Sequence, residues 1–203
     1  MPKVEIARWV GNRDDADPQR ALLVVPGMNY SIQMPLLMLP SFALSAQRWT
    51  VWHVTWDLSD IADDERALSD TVQDAAARLA SAAGSAKSMV VLAKSIGTLA
   101  APWAATHGLP GAWLTPLLNR PAVVEGLNRS KAPALLVGGA RDRTWDREAA
   151  QGTGKQLIEV PGANHALFAG QWRSHLRDLE TVTDRVLSFV EDVEHHPATL
   201  TRA

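Results

Sequence analysis

Residues 89–101 form the stretch that most constrains what this chain can fold into. An apolar run with two adjacent valines leads to Ser95, and an apolar pattern of helical spacing follows at once. The stretch therefore predicts a strand, a sharp turn at Ser95 and a helix. Ala93 and Gly97, two residues before and two after the serine, are as small as a tight turn requires. Ser95 is then either an exposed nucleophile on a strained turn or simply the N-cap of the helix.

Apolar segments on both sides of this stretch predict the rest of a sheet. Residues 21–25 are continuously apolar, as in a strand buried on both faces, whereas residues 4–10 alternate as in an edge strand. Strands alternating with helices predict an α/β protein, a three-layer α/β/α sandwich around a mainly parallel sheet of six or seven strands. Without internal repeats or a linker, residues 1–203 are expected to form a single domain. The further strands are predicted at residues 49–56, 111–114, 133–137 and 156–160.

The ends of these strands supply the partners that a nucleophilic serine needs. Binding sites in open parallel sheets lie at the carboxyl ends of the strands, and the base that suits a serine near neutral pH is a histidine. Of the six histidines, only His165 falls just past the end of a predicted strand, the one at residues 156–160. A carboxylate must orient it, and Asp142 and Asp146 both follow the strand at residues 133–137. Asp146 is the weaker candidate, because it suits the start of the next helix, where a carboxylate is favoured.

These residues together resemble the α/β-hydrolase family. Residues 93–97, Ala-Lys-Ser-Ile-Gly, are similar to that family's nucleophile elbow, Gly-x-Ser-x-Gly, with alanine in place of the first glycine. The order Ser95, Asp142, His165 along the chain is also the order of the family's catalytic triad. The resemblance extends along nearly the whole chain and implies the α/β-hydrolase fold.

The resemblance also implies the remaining parts of a site. The N–H groups of Ile96 and Met28 would form an oxyanion hole, with Asn29 as the alternative to Met28. Only about six residues separate residue 114 from the next predicted helix, where the family commonly inserts a lid. The chain therefore looks like a small lidless member without an inserted cap, similar to dienelactone-hydrolase-like bacterial proteins.

Composition narrows the classes of function. A formal net charge of −2 on 203 residues gives no indication of nucleic-acid or membrane binding. The absence of cysteine excludes disulfides and a cysteine nucleophile, and no dinucleotide, phosphate-loop or metal-binding motif occurs. We therefore expect no cofactor or metal, and a small-molecule acyl substrate as the partner. No signal-peptide pattern and no apolar run of ~18 residues is present, which predicts a cytoplasmic protein. The sequence makes no prediction about the oligomeric state.

The sequence thus predicts a serine hydrolase, carboxylesterase-like, that cleaves an ester or related acyl bond through Ser95, His165 and Asp142. An acyltransferase or amidase with the same triad, or a non-catalytic ligand-binding protein of the same fold, is the alternative. Lys94 is expected to lie outside the chemistry, because an elbow points the neighbours of its serine away from the site. Candidates for lining a substrate pocket are the residues that follow strand ends, namely Asn29, Tyr30, Trp56, Leu117 and Trp145.

Overall fold

The computed structural model describes residues 2–195, and a seven-stranded sheet forms the centre of this part of the chain. The strands are β1 (Lys3–Arg8), β2 (Asp17–Val25), β3 (Trp49–Asp57), β4 (Ser88–Lys94), β5 (Gly111–Leu114), β6 (Ala134–Gly139) and β7 (Gln156–Val160). Their order across the sheet is β1-β3-β2-β4-β5-β6-β7. All neighbouring strands are parallel except β1 and β3, so the predicted, mainly parallel sheet with β1 at its edge is confirmed.

Helices cover both faces of the sheet. Within residues 2–195 they are α1 (Pro35–Ala46), α2 (Glu65–Ala83), α3 (Ala101–Thr106), α4 (Pro121–Arg129), α5 (Arg147–Gly152) and α6 (Trp172–His195). Buried residues of α1 and α6 share one core with one face of the sheet. Those of α2, α3, α4 and α5 share the core on the other face. The protein is therefore the predicted three-layer α/β/α sandwich.

The central strands show why their sequences are apolar throughout. In β2, Leu22 and Val24 join the core beneath α1 and α6, while Ala21, Leu23 and Val25 join the opposite core. Successive side chains of a strand point to opposite faces, so a strand covered on both sides needs apolar residues at every position. This double burial fixes β2 and its neighbour β4 in the middle of the sheet.

Two segments differ from the sequence-based expectation. Residues 11–19 suggest a loop, but β2 begins at Asp17, because its N–H donates to Arg48 O (2.7 Å) and its carbonyl accepts from the Thr50 hydroxyl (2.9 Å). The predicted helix after Ser95 is divided into a 3-10 helix (Ser95–Ala100) and α3, with Pro102 in the first turn of α3. Proline is tolerated there because it removes no helical hydrogen bond. Fraying is expected from His195 onward, but α6 includes His195, and the rest of that segment lies outside the described residues.

The connections at the carboxyl edge of the sheet are short. Six residues, 115–120, join β5 to α4, at the point where a lid would be inserted. The parallel strands β2, β4, β6 and β7 all end at this edge, so the segments that follow them converge there. None of the helices within residues 2–195 is both long and apolar enough to cross a membrane.

Candidate active site

The turn after β4 holds Ser95 in a strained conformation. Its φ is +53°, in the left-handed region that a residue with a side chain adopts only under constraint. The constraint comes from the neighbouring strand, because a Cβ atom at Gly97 would lie 2.2 Å from Val25 O. The Thr98 hydroxyl also fixes the turn, since it donates to Ser95 O at 2.6 Å. The close approach of Gly97 to the end of β2 leaves the Ser95 side chain at the carboxyl edge of the sheet.

His165 reaches Ser95 from the loop after β7. Its Nε2 atom lies 2.7 Å from Ser95 Oγ. The preceding side chain, Asn164, holds this loop, because its Oδ1 accepts from the N–H groups of Ala166 (2.9 Å) and Phe168 (3.2 Å). An imidazole within hydrogen-bond distance of a serine hydroxyl can accept the hydroxyl proton.

Asp142 lies on the other side of the imidazole, in the turn after β6. Its Oδ2 atom is 2.7 Å from His165 Nδ1, and only 1% of its side chain is exposed. A carboxylate only accepts hydrogen bonds, so Nδ1 carries a proton and Nε2 is left to accept from Ser95. Burial alone would raise the pKa of the Asp142 carboxyl, but hydrogen bonds from His165 and Thr144 outweigh it and hold this pKa below its usual value.

Thr144 makes further hydrogen bonds to the Asp142 carboxylate. This residue was not identified from the sequence as part of the site. Its N–H donates to Asp142 Oδ1 at 2.8 Å, and its hydroxyl donates to the same oxygen at 2.9 Å. The hydroxyl oxygen also lies 3.1 Å from His165 Nδ1. The spacing of Asp142 and Thr144, a carboxylate followed two residues later by a hydroxyl, is a common turn pattern that gives a weak sequence signal.

The other candidate acid, Asp146, has a different role. It is the N-cap of α5, where its Oδ1 accepts from the N–H of Ala149 at 3.0 Å. This is the helix-start position that the sequence favoured for it. The structure thus brings Asp142 to His165 and leaves Asp146 at the helix.

The turn after β2 runs directly past Ser95. Gly27 and Tyr30 pair across it, and a Cβ atom at Gly27 would lie 3.6 Å from Ser95 Cβ. Met28 and Asn29 form the tip of this turn. The Met28 N–H makes no hydrogen bond to another group within residues 2–195. The Trp56 indole supports this turn, since its N–H donates to Gly27 O at 3.1 Å.

A cavity of about 410 Å³ opens beside Ser95 and His165. Two of the predicted pocket residues, Asn29 and Tyr30, line it together with Gly27, Met28, Lys94, Asn164 and Ala166. Lys94 was expected outside the site, yet it forms part of this wall, and its side chain is almost completely buried. The direction of its side chain depends on contacts with three distant segments, which a local elbow pattern does not report.

The other predicted pocket residues do not line this cavity. The Trp145 ring lies on Gly138, where a Cβ atom would come 2.0 Å from the ring, and its indole donates to Glu159 Oε2 at 2.8 Å. Leu117 and Trp56 pack against the core beneath α2 and α3. Because Gly138 has no side chain, the indole can lie directly on its backbone. Trp145 is therefore turned towards Glu159 on β7 rather than towards Ser95.

Three further histidines lie apart from this cluster. His53 is on β3, and burial lowers its pKa. His107 stacks on Trp103 at the end of α3, with 4.8 Å between the ring centroids. His175 is on α6, where its Nδ1 lies 3.1 Å from the carbonyl oxygen of Leu167. The sequence argument that separated His165 from these three agrees with their positions.

Comparisons with known proteins detect similarity in structure alone. Neither a protein-family model nor a curated protein matches the sequence. Among solved structures, Est1E of Butyrivibrio proteoclasticus with bound ferulic acid has a TM-score of 0.68 at 12% identity, covering 94% of this chain and 96% of that one. An α/β serine hydrolase homologue from Coxiella burnetii has a TM-score of 0.64 at 14% identity, with 91% of each chain covered. A lidless α/β serine hydrolase from Xanthomonas campestris has a TM-score of 0.56 at 15% identity, covering 94% of this chain and 88% of that one.

The chain has the α/β-hydrolase fold. At these identities the likeness concerns the fold, and the predicted fold class is confirmed. Within the α/β-hydrolase fold, Ser95, Asp142 and His165 follow β4, β6 and β7, so three separate strands position the three side chains. A hydroxyl, an imidazole and a carboxylate in one hydrogen-bonded series can make the hydroxyl oxygen a nucleophile and stabilise the imidazolium that results.

Proposed function

We propose that this protein is a serine hydrolase that cleaves an ester or related acyl bond of a small molecule. The observation that carries the proposal is the hydrogen-bonded series from Ser95 Oγ through His165 to Asp142 Oδ2, with both distances at 2.7 Å. The strained φ of Ser95 supports the same function, because such strain persists where a structure over-determines it and is concentrated at active sites. A protein that only binds a ligand has no need of all three side chains in this order.

In the proposed reaction Ser95 Oγ attacks the carbonyl carbon of the substrate. His165 Nε2 takes the hydroxyl proton and returns it to the leaving group, while the buried Asp142 carboxylate stabilises the imidazolium. This first half forms an acyl-enzyme and releases the alcohol. Water then attacks the acyl carbon with His165 as the base, and the acid leaves when Ser95 regains its proton.

The developing negative charge on the carbonyl oxygen needs hydrogen-bond donors. In the proposal these are the N–H groups of Ile96 and Met28. Ile96 directly follows the nucleophile, and a 3-10 helix that begins at Ser95 leaves its first N–H groups without partners within the helix. Met28 is at the tip of the turn that passes Ser95. Loss of one such donor typically reduces kcat by about 10²–10³-fold.

Labelling with a fluorophosphonate probe and turnover of p-nitrophenyl acetate test the proposal. We expect wild-type protein to react with the probe at Ser95, and Ser95→Ala to lose both labelling and turnover, with kcat lower by about 10⁴–10⁶-fold. Ser85→Ala is the matched control, because Ser85 is an exposed serine that precedes β4 at the opposite edge of the sheet. Unchanged turnover in folded Ser95→Ala would refute the assignment of the nucleophile.

A further inference from the structure

Lys94 is a buried cation directly beside the proposed nucleophile. Only 3% of its surface is exposed, although lysine is almost never fully buried unless a partner accompanies it. No carboxylate lies within ion-pair distance of its ammonium group in the described part of the chain, and Asp142 is the charge that acts on its pKa. A methionine would fill the same volume without a charge, so the ammonium group itself requires an explanation.

The ammonium group has two hydrogen-bond acceptors and one aromatic ring as its neighbours. Nζ lies 3.2 Å from Thr115 Oγ1, at the end of β5, and 3.3 Å from the carbonyl oxygen of His165. It also lies 4.4 Å from the centroid of the Tyr30 ring, a cation–π distance. These contacts hold the ammonium group at the wall of the cavity beside Ser95.

These partners belong to three different segments of the candidate site. Tyr30 closes the turn that carries Met28 and Asn29, and its hydroxyl accepts from the Leu36 N–H at the start of α1 (3.0 Å). His165 is the proposed base, and its backbone carbonyl oxygen is the atom that contacts Lys94. Because Lys94 itself directly precedes Ser95, one side chain joins the nucleophile, the base and the proposed oxyanion turn.

We propose that the Lys94 ammonium group is a positioning residue of the active site, which holds the His165 backbone and the Tyr30 turn in register with Ser95. This role rests on the proposed hydrolase function. The contacts of the ammonium group are with Thr115, the His165 backbone and the Tyr30 ring, so it acts on the reaction through these groups. An error of about 1 Å in the position of a catalytic group costs about 10²-fold in rate, so holding two such segments has a large effect.

The charge matters as well as the hydrogen bonds. Burial lowers the pKa of Lys94 to about 8, and the negative charge of Asp142 opposes this change. The titratable or charged groups that face Lys94 are Tyr30, Asp142 and His165. Above pH 8 the neutral amine loses one donor and its cation–π contact, so the support for the two segments weakens.

Lys94→Met tests the proposal, with Lys155→Met as the matched control. Lys155 is also partly buried with a lowered pKa, and its Nζ donates to the backbone carbonyls of Ser130 (2.6 Å) and Ala132 (3.0 Å) at the opposite edge of the sheet. We expect Lys94→Met to lower kcat and the rate of fluorophosphonate labelling by about 10²-fold with little change in KM. Lys155→Met should retain both rates.

Two further measurements separate positioning from general stability. Hydrogen–deuterium exchange should increase at residues 27–32 and 161–168 in Lys94→Met and stay at the wild-type level in Lys155→Met. The kcat of the wild type should fall as the pH rises above about 8, and this decline should be absent from Lys94→Met. Thr115→Val, which removes one partner and keeps the charge, should give an intermediate loss of kcat.

The outcomes distinguish this inference from the proposed function. Wild-type exchange and labelling in folded Lys94→Met would overturn the positioning role, whatever the activity of Ser95→Ala. Equal losses in Lys94→Met and Lys155→Met would overturn it too, because they would indicate a general effect of burying methionine. Increased exchange in Lys94→Met together with full turnover by Ser95→Ala would support the positioning of the loops and refute the hydrolase proposal alone.

Discussion

Asp142 Oδ2 lies 2.7 Å from His165 Nδ1, and the same carboxylate accepts two hydrogen bonds from Thr144 through its other oxygen. Both oxygens are therefore engaged, and the side chain is 1% exposed. A carboxylate held in this way can face the imidazole in one orientation only. This fixes the proton of His165 on Nδ1 and leaves Nε2 directed at Ser95.

Asp142→Asn should lower kcat by about 10⁴-fold. The amide group can present an N–H to Nδ1, which would move the imidazole proton to Nε2 and prevent it from accepting the Ser95 proton. Asp146→Asn is the matched control, because asparagine caps a helix as well as aspartate does, and both kcat and melting temperature should stay near the wild type. Turnover of p-nitrophenyl acetate measures both variants. A larger loss in Asp146→Asn than in Asp142→Asn would move the acid to position 146.

The sequence predicts the fold and the three side chains at its edge for a common reason. Doubly buried strands are apolar throughout, so their ends are recognisable, and parallel strands bring those ends to one edge. Ser95, Asp142 and His165 each follow such an end. Their meeting within hydrogen-bond distance also depends on the order of the strands, which the sequence does not predict and which places β4, β6 and β7 on the same side of the sheet.

The surroundings of these side chains depend on contacts that sequence spacing does not contain. Lys94 is directed by Thr115 and Tyr30, which are 21 and 64 residues away in the chain. Trp145 turns away from the cavity because Gly138 lacks a side chain and Glu159 offers an acceptor. Such choices are made by the packing of whole segments, so they become visible only in the folded structure.

Gly97→Ala should damage both stability and activity. An added Cβ atom would lie 2.2 Å from Val25 O and 2.7 Å from Pro26 O, so β2 or the elbow must move. Overpacking of this kind costs about 1–3 kcal/mol of unfolding free energy, and the displaced turn after β2 should reduce kcat as well. Gly152→Ala in α5 is the control, because nothing lies within 4 Å of its added Cβ atom. Thermal melting and ester turnover of both variants test this expectation. A fully active and stable Gly97→Ala would show that the turn after β4 can accommodate the added Cβ atom.

Thr144→Val should weaken the orientation of Asp142 without removing it. The substitution deletes the hydroxyl that donates to Oδ1 at 2.9 Å and keeps the N–H bond and the shape of the side chain. A hydrogen bond to a charged group is worth about 1.5–3 kcal/mol, so kcat should fall by about tenfold or more. Thr183→Val on α6, where the hydroxyl donates to the Leu179 carbonyl, should leave kcat unchanged. Equal kcat in Thr144→Val and the wild type would mean that the backbone N–H alone orients the carboxylate.

Lys94 should make the stability of the protein depend on pH in the alkaline range. Its pKa is lowered from 10.5 to about 8 on folding, so between these values the unfolded chain binds more protons than the folded one. The unfolding free energy then rises with pH through this window. The buried charge lowers the unfolding free energy by ~3 kcal/mol, and this loss is fully present below pH 8. Lys94→Met should be the more stable protein at pH 7. Urea unfolding at several pH values should show the difference between the two proteins shrinking from pH 8 to pH 10.5, and a constant difference would contradict a lowered pKa.

The connection between β5 and α4 leads to an expectation about substrate length. Six residues, 115–120, leave no room for an inserted lid, and the cavity beside Ser95 measures about 410 Å³. The acidic segment that follows β3, residues 57–65, is close enough in the chain to be considered as a cover. Leu58 anchors this segment in the core at 1% exposure, and Glu65 pairs with Arg120 at 2.6 Å. An acyl chain that extends beyond the cavity then stays in water.

Values of kcat/KM for p-nitrophenyl esters from acetate to laurate measure this directly. Each methylene removed from water contributes about 0.8 kcal/mol, which corresponds to a rise of about fourfold in kcat/KM per carbon while the cavity still covers the chain. We expect this rise to stop after a few carbons, because further methylenes gain no burial. The same series on Ser95→Ala gives the uncatalysed background. A rise that continues to laurate would reveal an apolar tunnel or a cover supplied by a second subunit, and the lidless interpretation of the site would be wrong.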